Sequence, residues 1–186
     1  MKNGNSKLVI VAMLAFIGGA FMGNAITMMY VSSGGSSAPA QQPSGPATAD
    51  ALTRLKAATA AHPDDAGAWI ALGNYYFDHE QPHLAVPAYE KAVELAPGNP
   101  NVWSDLGVMY RRTGAPEKAV DAFDHAAKLD TEHTTSLFNK GIVLFYDLGR
   151  KQEAVKAWRA ILEKDPQAKA PNGMPVTEFI QMALEQ

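Results

Sequence analysis

The stretch AGAWIALGNYYFDHEQPHLAVPAYEKAVELAPGN, residues 66–99, decides how the rest of the chain is read. Trp69, Leu72 and Tyr76 fall at i, i+3 and i+7 beside Gly73, one face of a helix. A second helical pattern follows, in which Ala85, Tyr89 and Ala92 run small, large, small. The glycine lets a neighbouring helix come close, and the alanines offer shallow holes for its bulky side chains. Pro82 stands where the second helix begins, at a position whose N–H has no intrahelical partner. Each helix is apolar on one face only, so the pair must stack on another pair to be stable.

A shift of 34 residues finds the pattern again in Trp103, Leu106, Gly107, Tyr110, Pro116, Ala119, Phe123 and Ala126, with Thr131 in the place of Pro97. The spacings W-x2-L-G-x2-Y, then A-x3-F/Y-x2-A, then P resemble the tetratricopeptide repeat (TPR) family. The resemblance implies an all-α chain, an α-solenoid of helix-turn-helix repeats, over residues 66–99, 100–133 and 134–168. The frame also runs backwards: Ala51, Leu55, Ala58 and Pro63 match Ala85, Tyr89, Ala92 and Pro97. This predicts a helix over Asp50–Ala61, half a repeat within residues 49–65, that caps the first full pair. In the third repeat Leu137, Gly141 and Leu144 keep the frame and Lys140 replaces a leucine. Ala154, Trp158, Ile161 and Pro166 fit only after one inserted residue before Gly149, expected in the inter-helix turn. After the breaker cluster Pro171–Pro175, Val176, Phe179, Ile180, Ala183 and Leu184 share a face of a final helix, residues 175–186, expected to close the solenoid.

Ahead of the repeats, residues 8–31 carry no charge and are long enough to cross a bilayer of roughly 30 Å as a helix. Lys2 and Lys7 precede this run and no Lys or Arg follows until Arg54, which predicts residues 1–7 in the cytoplasm and the repeats in the periplasm, on a single-pass inner-membrane protein. A cleaved signal peptide is the rival, with Ala38-Pro39-Ala40 as a small-x-small site, but the apolar run is longer than such peptides use. Ala15, Gly19 and Gly23 form a small-xxx-small face through which two copies could pair as a homodimer, although Gly and Ala are also simply common in membrane helices. Residues 32–48 are rich in Ser, Gly, Pro, Ala and Gln without charge, a flexible linker.

Composition excludes several functions. All 19 acidic residues lie after position 48 together with 14 of the 16 basic ones, so the repeat region is about −5 and unsuited to nucleic acid. The absence of Cys rules out disulfides, thiolate metal sites, covalent c-type haem attachment and a lipoprotein thioether. His79-Glu80-Gln81-Pro82-His83 fits the zinc-protease pattern H-E-x-x-H, which needs both imidazoles on one helical face. The frame places it in a turn instead, and Pro82 would break the helix there. His62, His125 and His133 are scattered, and no nucleophile elbow or phosphate loop occurs, so neither an enzyme nor a bound cofactor or metal is expected.

The TPR resemblance implies a concave groove lined by the residues one, five, eight and nine places after each Trp-equivalent. These are Ile70, Asn74, Phe77 and Asp78 in the first repeat, Ser104, Val108, Arg111 and Arg112 in the second, and Phe138, Ile142, Phe145 and Tyr146 in the third. Such a surface suits an extended peptide with a hydrophobic anchor and a carboxylate. The competing reading has Phe138 and Ile142 buried by the final helix, and Arg111 and Arg112 paired with Asp78 or Asp105. Only Asn74 matches the chaperone-clamping TPR pattern, which makes a dicarboxylate clamp improbable. Ala154-Val155-Lys156-Ala157-Trp158 with Val176, Glu178, Ile180, Met182 and Ala183 resembles the tail of TPR subunits in cytochrome c maturation and nitrite reductase haem-lyase systems. That resemblance implies capture of an apocytochrome C-terminus. The alternative is a structural adaptor that tethers an envelope complex.

Overall fold

The computed structural model describes residues 46–185. The anticipated membrane span at residues 8–31, with Ala15, Gly19 and Gly23, and the linker up to residue 45 lie outside them. Eight helices follow one another among the described residues: α1 Pro46–Ala61, α2 Ala66–Asp78, α3 Pro82–Leu95, α4 Pro100–Arg112, α5 Pro116–Leu129, α6 Thr134–Ile142, α7 Lys151–Leu162 and α8 Val176–Glu185. None of them is long and apolar enough to cross a membrane. The described residues are all-α, and each helix packs chiefly on its neighbours in sequence, as a solenoid requires.

The repeat signature translates directly into packing. A Cβ on Gly73 would stand 2.6 Å from the ring of Tyr89, and one on Gly107 2.7 Å from the ring of Phe123, so only hydrogen fits. Gly141 meets the Trp158 indole in the same way. Leu72, Tyr76, Ala85, Tyr89 and Ala92 are buried, as are Leu106, Ala119, Phe123 and Ala126. The signature tryptophans act as clasps rather than core: Trp69 Nε1–H donates to the Pro63 carbonyl at 2.9 Å and Trp103 Nε1–H to that of Pro97 at 2.8 Å. Asp65 and Asn99 cap α2 and α4 by accepting from the backbone N–H groups of Gly67 and Asn101.

The inserted residue of the third repeat is not in the turn, as the frame alone suggests, but inside the first helix. After Ile142 the helix continues as a π-helical turn over Val143–Asp147, in which Leu148 N–H donates to Val143 O at 3.1 Å. A wider turn absorbs one residue without breaking the hydrogen-bond ladder, and it lets the left-handed corner fall in register with the other repeats. That corner is Glu80 (φ 53°), Gly114 (φ 78°) and Gly149 (φ 66°) in successive repeats. In the first two repeats a pair of crossed hydrogen bonds closes the helix end, Glu80 N–H to Phe77 O with Gln81 N–H to Tyr76 O, then Gly114 to Arg111 with Ala115 to Tyr110. In the pentapeptide His79–His83 the first two residues form the turn and Pro82 and His83 open α3, so it lacks the single helical face that paired zinc ligands need.

Two apolar clusters divide the described chain. One gathers Leu72 through Met109, and the other Ala119 through Ala183; Val108 and Tyr110 border both. A tight hairpin at Ala170–Met174 returns the chain so that Val176, Phe179 and Ala183 of α8 are buried on α7. Phe179 meets Phe138 edge-on at 5.0 Å between centroids and Trp158 at 5.6 Å. Leu184, expected on that face, is instead 65% exposed, although its neighbour Ala183 is buried. α1 begins at Pro46, four residues before the expected start, and packs Leu52 and Leu55 on the first cluster.

Gly107→Ala should cost about 1 to 3 kcal/mol as an overpacked core, whereas Gly98→Ala, with open space around it, should cost little. Glu80→Gly should raise stability by up to about 1 kcal/mol through relief of the left-handed conformation. Urea unfolding followed by circular dichroism measures all three, and equal effects of the two alanine variants would contradict the packing described.

Candidate functional site

The first helices of successive repeats, α2, α4 and α6, are linked along one side of the molecule. The Arg112 guanidinium lies over the Phe77 ring, 5.1 Å from its centroid, joining α4 to α2. Arg111 makes a two-point ion pair with Asp147, 36 residues away, with Nε to Oδ2 at 2.5 Å and Nη2 to Oδ1 at 3.2 Å. His133, just ahead of α6, spans Ser136 Oγ at 2.7 Å and Asn101 Oδ1 at 2.9 Å with its two ring nitrogens. Lys140, which replaces the leucine of the other repeats, reaches Asp124 on α5 at 2.5 Å.

These contacts reorganise the expected groove. Asn74, Asp78 and Arg112 are exposed, and Ile70, Phe77, Val108, Arg111, Ile142 and Tyr146 are half-buried. Ser104, Phe138 and Phe145 are buried. Phe138 is covered by α8 through Phe179, and Phe145 lies between Tyr146, at 4.7 Å, and Trp158. The aromatic end of the surface is therefore largely core, while Ile142 remains half-buried. The arginines do not pair with Asp78 or Asp105: one is held by Asp147 and the other by a ring.

What stays open is a recess of about 280 Å³ between the first two repeats, lined by Asn74, Phe77, Asp78, Tyr89 and Asp105. Two of these residues, Tyr89 and Asp105, were not anticipated in the groove. Tyr89 is a signature core aromatic and stays buried, yet its hydroxyl reaches the exposed Asn74 and donates to its Oδ1 at 2.7 Å. Asp105 offered one local signal, a lone charge in the apolar run Val102–Val108. Burial pushes the Asp105 carboxyl up to about 6; His133 pulls it back and Asp78 adds to the rise. Burial also raises the Tyr89 phenol, with Asp105 and then Asp78 adding to it. Among the described residues no group of three or more His, Asp or Glu is placed to hold a metal ion.

Comparison with known families agrees with this architecture. Tetratricopeptide repeat profiles match residues 48–100, 70–134 and 135–168. The chain belongs to the tetratricopeptide repeat family. Its fold, an interaction fold for peptides and proteins, is similar to that of MamA, at a TM-score of 0.68, 22% identity and coverage of 75% of this chain and 73% of that one. It is similar also to YrrB, a TPR protein with an unusual peptide-binding site (TM-score 0.59, 26% identity, 65% of this chain and 62% of that one). A third is the first TPR domain of Spaghetti (RPAP3) bound to the HSP90 peptide SRMEEVD (TM-score 0.54, 21% identity, 73% and 92%). No curated protein matches the sequence.

A carboxyl that titrates higher in the folded chain than in the unfolded one opposes folding in its charged form. For Asp105 that penalty is absent below about pH 4 and complete above about pH 6. Asp105→Asn should thus stabilise this TPR domain at pH 7.5 by on the order of 1 kcal/mol, a figure reduced for solvent screening of a partly exposed group. The gain should fade as pH falls from 6 towards 4 in parallel urea titrations; an equal gain at both ends would mean that desolvation of the carboxylate is not its cause.

Proposed function

We propose that this chain is a membrane-tethered TPR protein that binds an extended segment of a partner protein against its first helices. The observation that carries the reading is the recess between the first two repeats. Its lining combines the half-buried Phe77 ring with polar groups that fix orientation, Asn74, Asp78, Asp105 and the Tyr89 hydroxyl. The likeness to YrrB, with its peptide-binding site, supports the same use of the fold. Support for the tether comes from the uncharged run at residues 8–31 with Lys2 and Lys7 ahead of it, which would hold the repeats on the periplasmic side of an inner membrane.

For the partner, the Ala154–Trp158 segment and the closing helix favour a chain in cytochrome c-type assembly, such as an apocytochrome. A structural adaptor of an envelope complex is the second reading, and one observation favours it: with Arg111 tied to Asp147 and Phe138 under α8, the surface has little left to clamp a free C-terminal carboxylate.

The full chain, carrying a photo-reactive residue at Asp78 or at Asp121, tests the groove after purification from membranes. Partner adducts should form from position 78 on α2 and not from position 121 on the exposed face of α5. Adducts only from position 121 would move binding away from the first helices. In the same preparation the 19.9 kDa chain should stay with the membrane after alkaline extraction, and a shortened soluble product starting near Gln41 would overturn the anchor.

A further inference from the structure

The charges along the first helices are unequally engaged. Every cation on that side has a partner: Arg111 holds Asp147, Lys140 holds Asp124, and Arg112 lies over Phe77. Neither Asp78 nor Asp105 has a Lys or Arg within ion-pair distance among the described residues. Both line the recess, one on α2 and one on α4, so they face a common space rather than each other's helix partners. One wall of that space is the half-buried Phe77 ring, and the floor is the hydroxyl end of buried Tyr89, which donates to the Asn74 carbonyl oxygen at the rim. Phe77 already carries one guanidinium on its ring, that of Arg112, 5.1 Å from the centroid.

We propose that the recess receives a cationic side chain, Lys or Arg, of the bound partner segment, with Asp78 and Asp105 as its counter-charges and the Phe77 ring beside its methylene stem. This rests on the peptide-binding reading and gives the recess a preference opposite to that expected from Arg111, whose charge Asp147 balances, and Arg112, which is turned onto the Phe77 ring. The chemistry is that of a long side chain that buries an apolar stem while its charged head meets carboxylates. A cation would relieve the mutual repulsion of the two carboxylates and favour the ionised form of Asp105, whose other neighbours are Tyr89 on α3 and His133 ahead of α6.

The experiment uses the full chain in detergent and five pools of fluorescent, end-capped pentapeptides. Flanking positions are randomised among neutral residues, and the central one is fixed as Arg, Lys, citrulline, Glu or Leu. Fluorescence polarisation should show the Arg and Lys pools binding at least tenfold more tightly than the citrulline pool. That preference should be lost in Asp78→Asn with Asp105→Asn, kept in Arg111→Gln, and reduced between pH 7.5 and pH 5. Thermal melting of the variants confirms that they are folded. A Glu or Leu pool that binds most tightly and is blocked by Asn74→Trp would sink the cationic assignment and leave peptide binding in the recess intact. Binding of no pool, or binding that no recess substitution changes, would sink both.

Discussion

The structure depends on a single repeated contact, an aromatic ring of the second helix laid over a glycine of the first. Tyr89 over Gly73, Phe123 over Gly107 and Trp158 over Gly141 hold the two helices of each pair closer than any side chain at the glycine would allow. At that separation the small residues Ala85, Ala92, Ala119, Ala126 and Ala154 become fully buried, and dispersion contacts accumulate over the whole interface. Everything else, the tryptophan clasps, the caps and the left-handed corners, orients one such pair against the next.

The third repeat shows how much change this contact tolerates. The ring grows to an indole, the helix carrying Gly141 gains a π-helical turn, and a lysine takes the place of a core leucine. The glycine contact survives all three. The extra volume of Trp158 is taken up by Phe138, Phe145 and Phe179, which surround it. With α8 on that cluster, the apolar face that another repeat would cover is already buried, and this helix ends the stack among the described residues.

The same stacking shapes the functional surface. Rotation between pairs brings Arg111 to Asp147 and Arg112 to Phe77, so cations that would be free on isolated helices become internal fastenings. It also leaves Asp105 partly buried beside Asp78 without an ion-pair partner, which is why burial raises its carboxyl and why the recess is electrostatically incomplete. In a solenoid the binding face and the repeat junction are one surface, and side chains serve either the stack or the ligand.

By itself the sequence determined the helices, their pairing and the glycine contacts, because a 34-residue period is a local constraint: spacing along a helix fixes which residues share a face. It named Asn74, Phe77 and Asp78 of the recess lining but neither Tyr89 nor Asp105, and its expected groove included Ser104, Phe138 and Phe145, which are buried. Only the tertiary structure decided what stands opposite each of them. An insertion of one residue can be counted in the sequence but not located, since a π-helical turn and a longer loop keep the same register afterwards. Likewise the Arg111–Asp147 pair, the cover over Phe138 and the emergence of the Tyr89 hydroxyl beside Asp105 depend on the angle between successive helix pairs. That angle is set by the packing of many side chains at once, and no single stretch of the chain carries it.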